Sequence, residues 1–297
     1  MKQYIFQIAG CRFEITSEYV LDLNKEEVRF LVDNADCCAC EPSMTVHTAI
    51  HHAEKAPYEL KHTDYSDRSL ETVQTILNGY HCSIRSYYAD IRSDRPFYAQ
   101  SCYIPEEHKL DICICNDKVW SDVNLRIWNL LHLEQILLSS DAFILHYSYM
   151  MYNNEAILFS APSGTGKTTQ AKLWEKYYHS RIINGDKAVV RRKNGIWSVC
   201  GYPYHGSAEE CENKEYPLRA VVAVRQSPDD YVVCESAGKR VMDLYSESTV
   251  NHWDESSVTR LLDLLSDLVM KNTVVKQYCT MNPSAPETLY RYLYGDK

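Results

Sequence analysis

The chain has 297 residues, 45% hydrophobic and 24% charged, which are the proportions of a globular protein with room for two domains. A formal net charge of -9 argues against a nucleic-acid partner, which draws on clustered Lys and Arg; the basic run Val189 to Lys193 reads as a solvated hairpin end. No apolar run reaches the roughly 20 residues of a membrane span, and the charged, alternating N-terminus is unlike a signal peptide, so the expectation is a cytoplasmic protein with no membrane partner, its 12 cysteines reduced.

From the N-terminus, Tyr4 to Ile15 reads as a β-hairpin turning at Ala9-Gly10. Cys37, Cys40, His47 and His51 then follow in the order of a Cys2His2 zinc site, with the two pairs closer together than in a finger. The histidines are expected to share a face if Met44 to His52 is helical; the same stretch also reads as a strand. Short strands are expected at Tyr58 to Thr63, His81 to Ile91, Phe97 to Ile104 and Leu110 to Cys115, with a helix at Asp67 to Leu77 stopped by Gly79. In the last of these strands Ile112 and Ile114 face one way, Cys113 and Cys115 the other. These features define an expected N-terminal α+β domain over 1–117, mostly strand, without a motif that assigns it a role.

Around Val119 the pattern changes. A helix capped at Ser121 or Asp122 is expected to open a second domain over 118–297, with Val123, Ile127, Leu130, Leu131, Ile136 and Leu137 at helical spacing. Ala142 to Tyr152 reads as one strand, Asn153 to Glu155 as a tight turn, and Ala156 to Ser160 as the next strand. A helix from Lys167 to about Tyr178 and a strand at Ser180 to Gly185 follow, then a hairpin turning at Asn194-Gly195. The remainder reads as a strand at Leu218 to Gln226, an amphipathic helix capped by Ser256 or Ser257, a strand at Thr273 to Thr280, and a last helix stopping at Gly295.

Between a strand and a helix lies Ala161 to Thr168, the phosphate-loop pattern with Ala in place of its first Gly. Gly164 and Gly166 let the backbone curl so that the N–H groups of Ser163, Gly164, Thr165 and Gly166 point inward at a di- or triphosphate. Lys167 sets a cation against the β- and γ-phosphates of ATP or GTP, Thr168 offers a hydroxyl to phosphate-bound Mg2+, and Thr169 supports the first helical turn.

A second group must direct chemistry. Asp186, after the strand Ile182-Ile183, is expected at the strand ends beside the γ-phosphate, where it accepts a proton from an attacking hydroxyl, binds Mg2+, or does both. Lys187 can stabilise charge on the transferring group, or be a surface lysine. The apolar strand at Leu218 to Gln226 reaches Arg225 rather than an acid, which disfavours motor ATPases and switch GTPases. His146 is expected on the strand beside the phosphate loop, and the polar loop with Tyr204, His205, Gly206 and Ser207 is expected to touch substrate or phosphate, with Glu209 and Glu210 as metal candidates.

From His146 onward, the series "SGTGKTT", "NGDKAVVRR", "GYPYHGS" and "YPLRAVVAVRQ" resembles the HPr kinase/phosphorylase-like family, whose fold is of the phosphoenolpyruvate-carboxykinase-like P-loop type. The resemblance covers roughly Ala142 to the C-terminus. It implies an α/β P-loop kinase core that uses ATP and Mg2+ to phosphorylate a protein serine. Asp186 matches the first acid of the family's Asp pair, its base or acid, and Lys187 replaces the second. The family's glycine-rich C-terminal signature is missing. The expected acceptor is therefore a hydroxyl on a peptide, a protein or a small molecule such as free serine, and the family resemblance implies a homo-oligomer. A non-catalytic nucleotide-binding module and a decarboxylating or phosphorolytic enzyme of the same fold are the rival readings.

Overall fold

The computed structural model describes residues 1–32, 42–58, 62–66, 70–88, 97–115, 127–160, 167–204 and 211–295. It is a mixed α/β protein of two compact units, Met1–Ile136 and Leu137–Lys297, with two large sheets and few helices.

The first unit holds an eight-stranded sheet of β1 (Lys2–Ile8), β2 (Cys11–Ser17), β3 (Met44–His52), β4 (Tyr65–Ser66), β5 (Leu70–Leu77), β6 (Tyr80–Tyr88), β7 (Phe97–Ile104) and β8 (Lys109–Ile114). The spatial order is β1-β2-β3-β8-β7-β6-β5-β4. β3 runs parallel to β2 and to β8, and the other pairs are antiparallel. The expected hairpin forms: Ala9 (φ 47) and Gly10 (φ 78) take the left-handed pair that a tight two-residue turn requires. Alternation buries Phe6, Phe13, Val46, Ile50 and Ile112. The short helix α1 (Ile127–Leu130) brings Trp128 edge-on to Phe6 and Phe30, at 4.9 and 5.7 Å.

Two expectations fail here. The stretch expected as a helix from Asp67 is the strand β5 from Leu70 to Leu77, with 67–69 outside the described residues. Its β-branched Thr72, Val73, Thr75 and Ile76 suit a pleated surface, and Asn78 (φ 52) and Gly79 (φ 89) turn the chain into β6 rather than stop a helix. The long helix expected near Val123 is broken: α1 is followed by α2 (Leu133–Ser139), with His132 at φ 51 between them and 116–126 outside the described residues. His132 is fully buried and shares a 2.7 Å hydrogen bond with the Ser101 hydroxyl, so a tertiary contact overrides the helical period. The division into units falls inside α2, where the sequence suggested 117/118.

The second unit runs β9 (Ala142–Leu145), β10 (Ser148–Tyr152), β11 (Glu155–Ser160), α3 (Lys167–Tyr178), β12 (Arg181–Asn184), β13 (Ala188–Lys193), β14 (Ile196–Cys200) and β15 (Glu215–Gln226). It continues with β16 (Tyr231–Val233), α4 (Ala237–Ser246), β17 (Ser248–Thr249), α5 (Glu255–Lys271), β18 (Thr273–Cys279) and α6 (Ser284–Tyr294). The strand order is β12-β10-β11-β15-β14-β13-β9-β17, with β18 pairing β15 and β16. Ala142 to Tyr152 is thus two strands, not one. The step from Leu145 to Ser148 spans at most about 10 Å, yet four strands separate β9 from β10 in the order, so the sheet curls back on itself. The Tyr149 hydroxyl crosses the curl and donates to the Val199 carbonyl at 2.9 Å. Leu158, Val190, Val199 and Val221 pack inside it with leucines of α5, while Ile157, Phe159 and Val222 on the opposite face meet Trp174 of α3 and Leu289 of α6. The cap of α5 is Asp254, not Ser256 or Ser257; its carboxylate accepts from the N–H groups of both serines. Among the described residues no cysteine is in a disulfide and no helix is long and apolar enough to cross a membrane.

Candidate functional site

β10 is antiparallel to both β11 and β12, so β11 and β12 run the same way and finish at one edge of the sheet. The chain leaves β11 at Ser160 and enters α3 at Lys167, which sets a helix N-terminus at that edge. Ser163, Gly164, Thr165 and Gly166 lie outside the described residues. Lys167 and Thr168 begin α3, and Thr169 is half-buried. The helix start is held by Gln170, 2% exposed, whose amide donates to the Thr280 carbonyl at 3.1 Å beyond β18.

Asp186 follows the end of β12. Two strand spacings of about 4.8 Å each separate β12 from β11, which sets Asp186 on the order of 10 Å from the β11 end. Asn184, fully buried, shapes this turn: its side-chain oxygen accepts from the N–H groups of Asp186 and Lys187, at 2.9 and 3.0 Å. Its amide nitrogen donates to the carbonyls of Tyr202 and Tyr204, at 2.9 and 3.0 Å. One side chain therefore joins the Asp186 turn to the Tyr204 segment. The sequence reading passed over Asn184; the signal was an Asn two residues before Asp, the spacing of a side-chain turn. Asp186 is half-buried, and among the described residues no cation pairs with its carboxylate. The Lys187 ammonium lies over the rings of Tyr202 and Tyr204, at 5.6 and 6.0 Å from their centroids.

His146 is not on the strand beside β11 but in the break before β10, exposed, with its N–H donating to the Glu247 carbonyl at 2.9 Å. The break still lies at the edge where β11 ends, since Ser148 pairs with Phe159. Tyr147 beside it is buried and hydrogen-bonds Ser160; burial pushes its phenol above the usual tyrosine range. β15 is parallel to β11, which carries Arg225 to the same edge, half-buried, its guanidinium donating to the Val224 carbonyl at 2.8 Å. Tyr204 is 50% exposed, and His205, Gly206, Ser207, Glu209 and Glu210 lie outside the described residues. The base of that loop requires a glycine: a Cβ on Gly201 would stand 1.8 Å from the Glu212 carbonyl oxygen. A carboxylate, a histidine, an arginine and a helix N-terminus at one sheet edge make an arrangement able to receive an anion and a proton.

The two histidines of the Cys2His2 order do not meet at one ion. His47 and His51 are on β3, where they share a face but stand about 13 Å apart along the strand, too far for one ion. Cys37 and Cys40 lie outside the described residues. His47 Nδ1 meets Glu14 at 3.3 Å, while His51 meets Cys113 and Asp111. Burial, then the Asp111 carboxylate, push the Cys113 thiol up to about 12. A cavity of about 730 Å³ opens in the first unit between Gln3, Glu14, Thr16, His47 and Lys109.

No protein-family model matches the chain, and none of the curated proteins does. Among solved structures it is similar to the Hpr(Ser) kinase/phosphatase from Coxiella burnetii, at 10% identity and a TM-score of 0.30, over 50% of this chain and 94% of that one.

Proposed function

We propose that this chain is an ATP- and Mg2+-dependent kinase that transfers the γ-phosphate to a hydroxyl, on a peptide or protein serine or on a small metabolite. The observation that carries the reading is the run Ser163 to Thr169 in its strand-to-helix setting between β11 and α3. Two supports accompany it: Asp186 follows a strand ending at the same sheet edge, and its carboxylate has no cation partner among the described residues.

In this reading the loop N–H groups and the Lys167 ammonium hold the phosphates of ATP or GTP. The Thr168 hydroxyl and the Asp186 carboxylate are hard oxygen donors, the set that suits Mg2+, which when bound neutralises phosphate charge. Asp186 takes the proton of the acceptor hydroxyl as that oxygen bonds to the γ-phosphorus, and the bond to the β-phosphate oxygen breaks to release ADP. His146 and Lys187 face the charge that develops, and the segment Tyr204 to Ser207 contacts the acceptor.

The test supplies the protein with Mg2+, γ-labelled ATP and a cell extract. Label should appear on a peptide or metabolite, and Asp186→Asn should cut transfer by roughly 10²–10⁴-fold while calorimetry without Mg2+ finds ATP affinity unchanged. Transfer at the normal rate in Asp186→Asn removes that carboxylate from the mechanism. ATP uptake with no labelled product favours the second reading, a nucleotide-binding module, which Lys187 in place of a second acid supports.

A further inference from the structure

We propose that His51, Asp111 and Cys113 form a site for a divalent transition-metal cation of zinc type in the first unit. The site follows from strand register. β3 and β8 are parallel, His51 stands opposite Cys113 and Ala49 opposite Asp111, so the three side chains share one face of the sheet. Cys113 Sγ lies 3.0 Å from His51 Nε2 and 3.7 Å from an Asp111 oxygen, and His51 Nδ1 lies 3.5 Å from the other Asp111 oxygen. One donor atom from each falls within 4.8 Å of the other two. Ligands around a tetrahedral zinc are spaced about 3.3–3.8 Å, and one ion takes a single His51 nitrogen, so closure on an ion needs shifts of up to about 1 Å from the 4.8 Å limit.

Charge and donor type point the same way. A thiol and a carboxylate that become anions side by side repel, and a divalent cation between them turns that repulsion into two bonds. Sulfur, imidazole nitrogen and one carboxylate oxygen are the ligands of zinc or cobalt rather than of magnesium or calcium. The thiol is 1% exposed, whereas the His51 and Asp111 side chains are 38% and 26% exposed, so the ion has a path in and the sulfur is shielded. A nucleophilic cysteine would need an open sulfur and a linear relay in which the acid touches the histidine alone. Here the carboxylate reaches both partners. Three protein ligands leave a fourth position for water or for a ligand of the site.

The probe is Co2+ alone, added to the reduced, chelator-treated full chain. One equivalent should bind with a sulfur-to-cobalt charge-transfer band and tetrahedral visible bands, both removed by Zn2+. Cys113→Ser should abolish the charge-transfer band, and His51→Ala and Asp111→Asn should each weaken Co2+ by roughly a hundredfold. The double variant Cys37→Ser with Cys40→Ser should bind as the parent does. Absence of a cobalt–sulfur band in the parent, or its persistence in Cys113→Ser, overturns the site. Far-UV circular dichroism checks folding; if Cys113→Ser does not fold, the partly exposed His51→Ala decides, and unchanged Co2+ affinity there is equally fatal. Neither result depends on nucleotide binding or phosphate transfer.

Discussion

In the first unit His51 meets Cys113 across 62 residues of chain, through a parallel strand pair. In the second, His146 stands just before β10, the segment after Ser160 follows β11 and Asp186 follows β12, three strands consecutive in the chain and joined by a two-residue turn and one helix. The first cluster exists only through register, because a shift of one residue would move His51 to the other face of the sheet. The second is set by short connections, so its residues also appear as a compact linear series. Proximity in sequence and proximity in space thus separate two kinds of site within one chain.

That contrast can be broken from either side, beginning with the largest expected effect. Arg85 is 5% exposed and pairs with Glu134, so a contact distant in sequence anchors α2 to the first sheet. Arg85→Met should cost about 3–5 kcal/mol by leaving a carboxylate poorly paired. Urea unfolding followed by fluorescence, with Trp128 reporting on this unit, measures the loss, and a cost under about 1 kcal/mol would show that long-range polar contacts matter little there.

On the local side, Asn184→Ala should cost about 2–3 kcal/mol, since two N–H groups and two carbonyls lose their partner at once. Asn184→Asp keeps the two accepting bonds and should fall between the parent and the alanine variant. Equal stability of all three would mean that the turn holds without its side chain.

The smallest effect sharpens the contrast by isolating one helix end. Against the cost of its burial, the hydrogen bonds from Ser257 and Ser256 hold the Asp254 carboxyl below its usual value. A depressed folded-state pKa gives stability that is full above about pH 4 and is lost as pH falls through the folded value. Asp254→Ala should cost about 1 kcal/mol at pH 7, and the gap to the parent should close on acidification below pH 4. A pH-independent gap in denaturant midpoints would remove the carboxylate from the cap.

The hairpin turns at Ala9-Gly10 and Asn194-Gly195, the β11–α3 junction and the bounds of α3 were readable from residue order, because each rests on neighbours a few residues apart. Asp67 to Leu77 misled for the opposite reason: its apolar spacing fits both periods, and β6 decides between them. His132 misled because Ser101, 31 residues away, claims its imidazole.

Residue order by itself determined the strand that ends at Ser160, the helix from Lys167 to Tyr178, and Asp186 as a carboxylate just beyond a strand, since turn chemistry and helix periodicity are short-range. The parallel register that assembles His51 with Asp111 and Cys113, the curl that brings the ends of β9 and β10 together, and the reach of Asn184 to Tyr202 and Tyr204 were decided by tertiary structure alone. Their physical reason is the same: each depends on which distant strands bury their faces together, and no local rule encodes that choice.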